Sequence, residues 1–275
     1  MQKNGKGTRG AVKIKREDID GGKRFDWNRA AADYAKYRDI YPPAFYEKIV
    51  ALGLCVRGQK VLDVGTGTGI LPRNLAQYGA DFVGIDLSAG QIEQAKRLSK
   101  EAGLNIPFRC VPAEEMPFPD ASFDVVTACQ CFMYFDHKTL APNIYRVLKP
   151  SGRLAVFYMA WLPLEDNVAG QSEALILKHN PAWTGCQEMR HPIAIPEYYL
   201  PFFEVEETRV FDVKVPFTRE SWNGRIKACR GVEASLSEEE VKQFDQEHRA
   251  LLQDIAPPSF QVLHYTAVAV LRVKK

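Results

Sequence analysis

The run Val61-Leu62-Asp63-Val64-Gly65-Thr66-Gly67-Thr68-Gly69-Ile70 leads an apolar segment into a glycine-rich bend, and a second acid, Asp86, closes Val83-Gly84-Ile85-Asp86. A strand that turns into a helix through alternate glycines lets a ligand approach the backbone closely. Dinucleotide sites space these glycines G-x-G-x-x-G and rest a pyrophosphate on the helix N-terminus. Here the third glycine comes one residue early, and Asp63 stands two residues before the first. A carboxylate at that point repels a pyrophosphate and favours a ligand carrying an ammonium and a sulfonium. Asp86 stands where an acid binds a ribose diol. Acid, glycine loop and second acid therefore suit S-adenosylmethionine (SAM). A ligand-free strand–helix turn and a nicotinamide site are the competing readings.

Such a pair must be positioned by strands that end at one edge of a sheet. The pattern predicts strands at 59–64, 81–86, about 106–111, 123–128 and 153–159, with helices between them. The helix from Ser88 has Gln91 three residues on as a capping box, Ile92, Ala95, Leu98 and Ala102 at helical spacing, and Gly103 as a stop. The next carries Leu140, Ile144, Val147 and Leu148, and Lys149-Pro150-Ser151-Gly152 turns into the fifth strand. Alternating β and α at this pitch predicts an α/β fold with a doubly wound, mostly parallel seven-stranded sheet and right-handed crossovers. Ligands of such sheets lie beyond the carboxyl ends of the strands. Residues 203–215 alternate as a sixth strand, 218–230 and 237–254 read as helices, and 260–273 as a last, antiparallel strand. Ser237 and Glu240 form a capping box, flanked by a Leu236–Val241 staple.

Four motifs in order carry a resemblance: VLDVGTGTG at 61–69, GIDLS at 84–88, AEEMPFPDASFDVV at 113–126 and LKPSG at 148–152. Over residues 26–160 the chain resembles the class I SAM-dependent methyltransferases, in particular the ubiquinone/menaquinone-biosynthesis-type and trans-aconitate-type group. The resemblance implies a Rossmann-like methyltransferase fold. It places Asp63, Gly65, Thr66 and Gly67 at the methionine part of the cofactor. It places Asp86 on the ribose hydroxyls, Leu87 beside the adenine, Ala113 and Glu114 at the adenine edge, and Cys129 and Gln130 along the donor pocket. Pro112 departs from the family, which often has Asp there; it has neither N–H nor side-chain acceptor. Glu114 or a backbone carbonyl is then expected to take the adenine amino group. The leader, read as helices at 26–38 and 43–53, is implied to be a lid bearing Tyr34, Tyr37, Arg38 and Tyr41, with Arg38 as partner of the methionine carboxylate.

Composition bounds the rest. The 275 residues suit one large domain over 25–275, with cap segments at about 161–201 and 216–258. A content of 46% hydrophobic and 25% charged residues is that of a soluble chain. No apolar run reaches a membrane span, and no apolar leader is present. Six scattered cysteines fit a reducing, cytoplasmic compartment. Residues 1–24 hold eight Lys/Arg and three Asp/Glu and read as a mobile basic tail, leaving the remainder slightly acidic.

Methyl transfer from a sulfonium is an in-line displacement, so alignment and water exclusion dominate. A base is needed only if the acceptor loses a proton. Candidates are His137 just past the fourth strand and His191 in the cap, with Tyr134 as an acceptor contact; each has the plainer reading of a structural or exposed side chain. Cys129, Cys131 and Cys186 could hold a soft metalloid, although buried cysteines are usually small hydrophobes, and no catalytic metal is expected. The acceptor is expected to be a small molecule, with no membrane and no preference for nucleic acid; the oligomeric state stays open. A SAM-binding protein without catalysis, and an RNA methyltransferase guided by the basic tail, are the rivals.

Overall fold

Val61, Leu62 and Val64 are fully buried, as are Val125, Val126 and Ala128, which pair beside them. A strand buried on both faces must lie inside a sheet layered by helices, and the computed structural model, which describes residues 17–274, shows that layering. Strands β1 (Lys60–Val64), β2 (Asp81–Asp86), β3 (Phe108–Cys110), β4 (Phe123–Cys129) and β5 (Leu148–Trp161) run parallel. β7 (Ser259–Val273) lies antiparallel between β5 and β6 (Phe203–Thr218). The order is β3-β2-β1-β4-β5-β7-β6. The expected mostly parallel seven-stranded sheet is therefore present.

Alternate side chains feed two layers. Leu62, Val64, Val126, Leu154 and Val156 pack with Leu140, Ile144 and Val147 of α5 (His137–Val147). Val61, Val125, Ala155 and Phe157 pack with Phe45 and Ile49 of α2 (Pro43–Ala51), and with Leu71 and Leu75 of α3 (Ile70–Leu75). α4 (Ala89–Glu101) begins at Ser88, whose side chain accepts from the Gln91 N–H. The capping box expected there is only half formed. The Gln91 amide turns instead to the Trp27 carbonyl (3.4 Å).

The leader helix is shorter than its alanines suggest. α1 spans Ala31–Tyr37, because Asn28 is occupied elsewhere. Its side-chain oxygen accepts from Ser88 Oγ and the Gly90 N–H, both at 2.8 Å, tying the leader to the start of α4 beside Asp86. Of the basic tail, residues 1–16 lie outside the described residues. Residues 17–24 correct the reading: Ile19 and Asp20 are buried against the rest of the chain, so the tail does not run to 24.

The tips of β5, β6 and β7 pass beyond the sheet and carry a second core. Trp161, Val215, Phe217 and Val262 pack there with Ile176 of α6 (Asn167–His179), Trp222 and Ile226 of α7 (Arg219–Lys227), and Phe244 and Leu252 of α8 (Glu238–Ile255). Both halves of the Ser237–Glu240 capping box form. A buried polar chain pins the three helices. His248 shares hydrogen bonds with Asn223 Oδ1 (2.8 Å) and Ser172 Oγ (2.9 Å), and Asn223 donates to Asp245 (2.7 Å). Burial pushes His248 down to about 4.

Candidate functional site

A cavity of about 720 Å³ opens at the carboxyl ends of β1, β2 and β4, under α1 and against the cap. Gly65 and Gly67 form its floor with φ of +62° and +54°, angles that disfavour other residues. A Cβ on Gly65 would stand 2.7 Å from Cys131 Sγ, so the loop packs flush against the β4 side. The two oxygens of Asp86 accept one N–H each, from Gly67 (2.9 Å) and Ser88 (2.8 Å). The Leu87 N–H adds to the donors Asp86 receives; a carboxylate has room for about four donors in all, so acceptor capacity is left for a ligand hydroxyl. Burial raises the Asp86 pKa, opposed by these backbone N–H groups.

Asp63 is placed differently from its expected role. It is buried, does not line the cavity, and has both oxygens bonded at 2.6 Å, by Thr66 Oγ1 and Thr127 Oγ1. Burial pushes its carboxyl up to about 7. It braces the glycine loop against β4. Thr66 likewise lies beneath the loop, its N–H donating to the Ile85 carbonyl (2.9 Å), and does not line the cavity. Glu114 is a second correction. Its side chain accepts from the Asp136 N–H (3.0 Å) at the start of α5 and leaves the cavity wall to Ala113 and Leu87.

Cys129, Gln130 and Cys131 line the cavity after β4. Cys129 Sγ lies 3.4 Å from the Tyr41 hydroxyl, and burial raises its thiol to about 12. Gln130, at φ +63°, donates its side-chain amide to the Met159 carbonyl and clamps β4 to β5. Cys131 Sγ contacts the Val64 carbonyl (3.1 Å). Among the described residues no group of three or more His, Cys, Asp or Glu is arranged to hold a metal ion.

Three aromatic rings close the top. Trp27 meets Tyr34 (5.9 Å) and Tyr134 (6.1 Å) edge to face. Arg38 lies over the Tyr34 ring at 4.7 Å and donates to its hydroxyl (3.4 Å). Of the expected lid residues, Tyr34 and Arg38 line the cavity; Tyr37 turns outward to Glu220 (2.9 Å). The Tyr134 hydroxyl accepts from Arg230 (3.3 Å), which forms a buried ion pair with Asp20 (2.9 Å). Asp20 also accepts from the Thr184 N–H (2.7 Å). The leader is thus strapped across the cavity to the cap.

His137 and His191 both line the cavity. His137 Nδ1 shares a hydrogen bond with the Tyr199 hydroxyl (3.2 Å). His191 has both ring nitrogens against acceptors, the Pro192 carbonyl (2.9 Å) and Glu188 (2.8 Å). A base needs an open lone pair, and this arrangement offers none on His191. Glu188 is a site residue that sequence reasoning missed; it collects the hydroxyls of Tyr158 (3.0 Å) and Tyr265 (2.5 Å) as well. Trp27 and Arg225 were missed too. No motif marks them, since they reach the cavity only through packing of the leader and of α7.

The cavity fits the cofactor that the motifs suggest. Its floor cannot carry a Cβ at Gly65, its ribose-type acid keeps acceptor capacity, and Gln91 Oε1 in its wall is buried without a partner.

Comparison with known proteins agrees. Residues 62–156 match the family model described as "Methyltransferase domain". The chain is 38% identical over 112 residues to demethylmenaquinone methyltransferase of Thermus thermophilus, covering 40% of this chain and 51% of that one. It is 32% identical over 130 residues to ubiquinone biosynthesis O-methyltransferase of Coxiella burnetii, covering 47% and 55%. The chain thus spans about half the length of the curated relatives it matches. A solved structure from Anaeromyxobacter dehalogenans, a candidate type II methyltransferase, superposes with a TM-score of 0.55 at 20% identity, over 86% of this chain and 97% of that one. The [4+2]-cyclase SpnF superposes at 0.50 and 19% identity, over 83% and 80%. Likeness at that level speaks for fold alone. Residues 62–156 are similar to the methyltransferase domain family, and the chain shares the fold of these solved structures, a mostly parallel sheet layered by helices.

Proposed function

We propose that this chain transfers the methyl group of SAM to a small molecule held between the glycine floor and the cap. The observation that carries the reading is Asp86, anchored by backbone N–H groups with acceptor capacity left over, beside a loop whose positive φ angles favour glycine. Asp86 would hold the ribose diol, Leu87 and Ala113 the adenine faces, and Arg38 the methionine carboxylate. Bound there, SAM supplies a methyl group already activated by its sulfonium. The chain's task is then orientation and exclusion of water, effects worth about 7–11 kcal/mol in well-aligned cases. Trp27, Tyr34 and Tyr134 supply the roof, and the Asp20–Arg230 pair keeps it closed.

An acceptor hydroxyl or acidic carbon must also lose a proton. Glu188, joined to Tyr158 and Tyr265, is the carboxylate in the wall best connected to take it. Its partner His191 then orients the carboxylate, while His137 remains a candidate base and Tyr134 an acceptor contact. The aromatic walls and the quinone-biosynthesis relatives favour a planar, ring-bearing acceptor.

Calorimetric titration with S-adenosylhomocysteine (SAH) should give saturable binding at one site per chain, and labelled SAM should pass its methyl to one member of a panel of phenols and quinols. No heat of binding would refute the cofactor reading. Binding without transfer to any acceptor would favour a SAM-binding protein or a different reaction on this fold.

A further inference from the structure

The cavity wall holds one charge with no counterpart. Arg225 on α7 is 3% exposed, and its Nε and Nη1 are buried with no hydrogen-bond partner. Its guanidinium carbon lies over the face of Trp161, 5.0 Å from the ring centroid. A guanidinium keeps its charge and presents five donors in a fixed fork. Burying it without an anion is strongly unfavourable.

Its neighbours are treated differently. Lys227, two residues on, pairs with Asp33 (2.7 Å), and Arg230 pairs with Asp20 (2.9 Å). Three acids near the cavity are engaged elsewhere. Glu188 holds two tyrosines and His191, Asp86 holds the Gly67 and Ser88 N–H groups, and Glu173 holds Trp161 Nε1 (2.9 Å) and the Gln187 N–H (2.6 Å). Burial and the nearby Arg38 push Arg225 down to about 9.

Of the three arginines that line the cavity, Arg230 already has Asp20, which leaves Arg38 and Arg225 to meet anions. Arg38 belongs to the donor end: it stacks on Tyr34, whose ring edge lies 3.9 Å from where a Gly67 Cβ would be. Arg225 shares Tyr34, Tyr41 and Cys229 with Arg38 as electrostatic neighbours, and it alone stands over Trp161 at the projecting tip of β5. We propose that the methyl acceptor carries a carboxylate, and that Arg225 receives it bidentately over the Trp161 face. The inference rests on the reading that the cavity takes SAM at its Asp86 end. It makes Arg225 a residue that selects acidic acceptors over neutral ones of the same shape.

The test uses the full chain loaded with SAH, and as probes benzoate, phenylacetate and octanoate, each against its uncharged amide, by calorimetry. At least one acid should bind about tenfold or more tightly than its amide, as a charge-assisted pair predicts. Arg225→Met should erase that preference, and Arg225→Lys should retain part of it, with SAH affinity within about twofold of wild type in both. Relief of an unpaired buried charge means that ligand-free Arg225→Met melts no lower than wild type; should it nevertheless fail to fold, the Lys variant still decides. Three results overturn the proposal: no acid preferred by wild type, a preference that survives Arg225→Met, or a tenfold loss of SAH affinity in that variant, which would give Arg225 to the cofactor's own carboxylate. Failure of wild type to bind SAH at all would instead remove the cofactor reading. An acid preference abolished by Arg225→Met would then still support the anion site.

Discussion

The cavity has two ends built on opposite principles. At the donor end the polar groups satisfy one another within adjoining strand–turn units: Asp86 reaches Gly67 in the turn after β1 and Ser88 two residues on, and Asp63 reaches Thr66 three residues on and Thr127 on the neighbouring β4. At the cap end the contacts join distant segments. Asp20 meets Arg230, Tyr265 meets Glu188, and Arg225 meets no acid at all. A local loop can be pre-formed and serve one constant ligand. A wall assembled from far-apart segments can be changed piece by piece, which suits the end that must recognise a particular acceptor.

If the cap end depends on long-range pairs, breaking one should cost most. Asp20→Ala leaves the Arg230 guanidinium without its buried partner, and we expect a loss of about 3–5 kcal/mol in chemical denaturation. A loss below about 1 kcal/mol would mean that the strap does not hold the leader to the cap. At the donor end, Asp86→Ala removes an acceptor of two backbone N–H groups and of the ribose diol. SAH affinity should fall about a hundredfold or more by calorimetry, since bonds to a charged group contribute about 1.5–3 kcal/mol each.

The cap should also be the acid-sensitive part. His248 has a folded pKa near 4 against about 6.5 unfolded, so the unfolded chain takes up the proton first. The stabilising contribution of its neutral ring is complete above about pH 6.5 and is lost as pH falls towards 4. Between pH 7 and 5 this amounts to about 2 kcal/mol. Denaturation of wild type and His248→Gln at both values should show the variant losing less stability by that margin; equal losses would place the acid sensitivity elsewhere. The smallest effect separates the geometry from the family pattern. Glu114→Ala should leave SAH affinity within about twofold, because its carboxylate caps α5 instead of reading a base. A tenfold loss would restore Glu114 to the adenine edge.

The fold and the donor floor were legible because their signals are local. Alternation of apolar runs with helical spacing gave the strand sequence. The bend at Gly65 and Gly67 is a property of those residues' own backbone. The errors share one cause, which is side-chain direction. Asp63 sits where the motif puts an acid, yet Thr127, on a neighbouring strand, turns it inward. Glu114 follows the expected Ala113, yet the start of α5 lies closer to it than the cavity does. The leader was read as helical from 26, and Asn28 instead spends its side chain on the start of α4.

By itself, the sequence determined a doubly wound sheet with a glycine floor and a ribose-type acid at its carboxyl edge, because hydrophobic period and glycine angles are set within a few residues. Tertiary structure alone decided which groups face the cavity: that Asp63 is a brace, that Glu188 gathers two tyrosines and a histidine, and that Arg225 stands over Trp161 without a counter-charge. Those outcomes depend on which distant segments arrive beside one another, and on the energetic need to pair or orphan each buried polar group once they do.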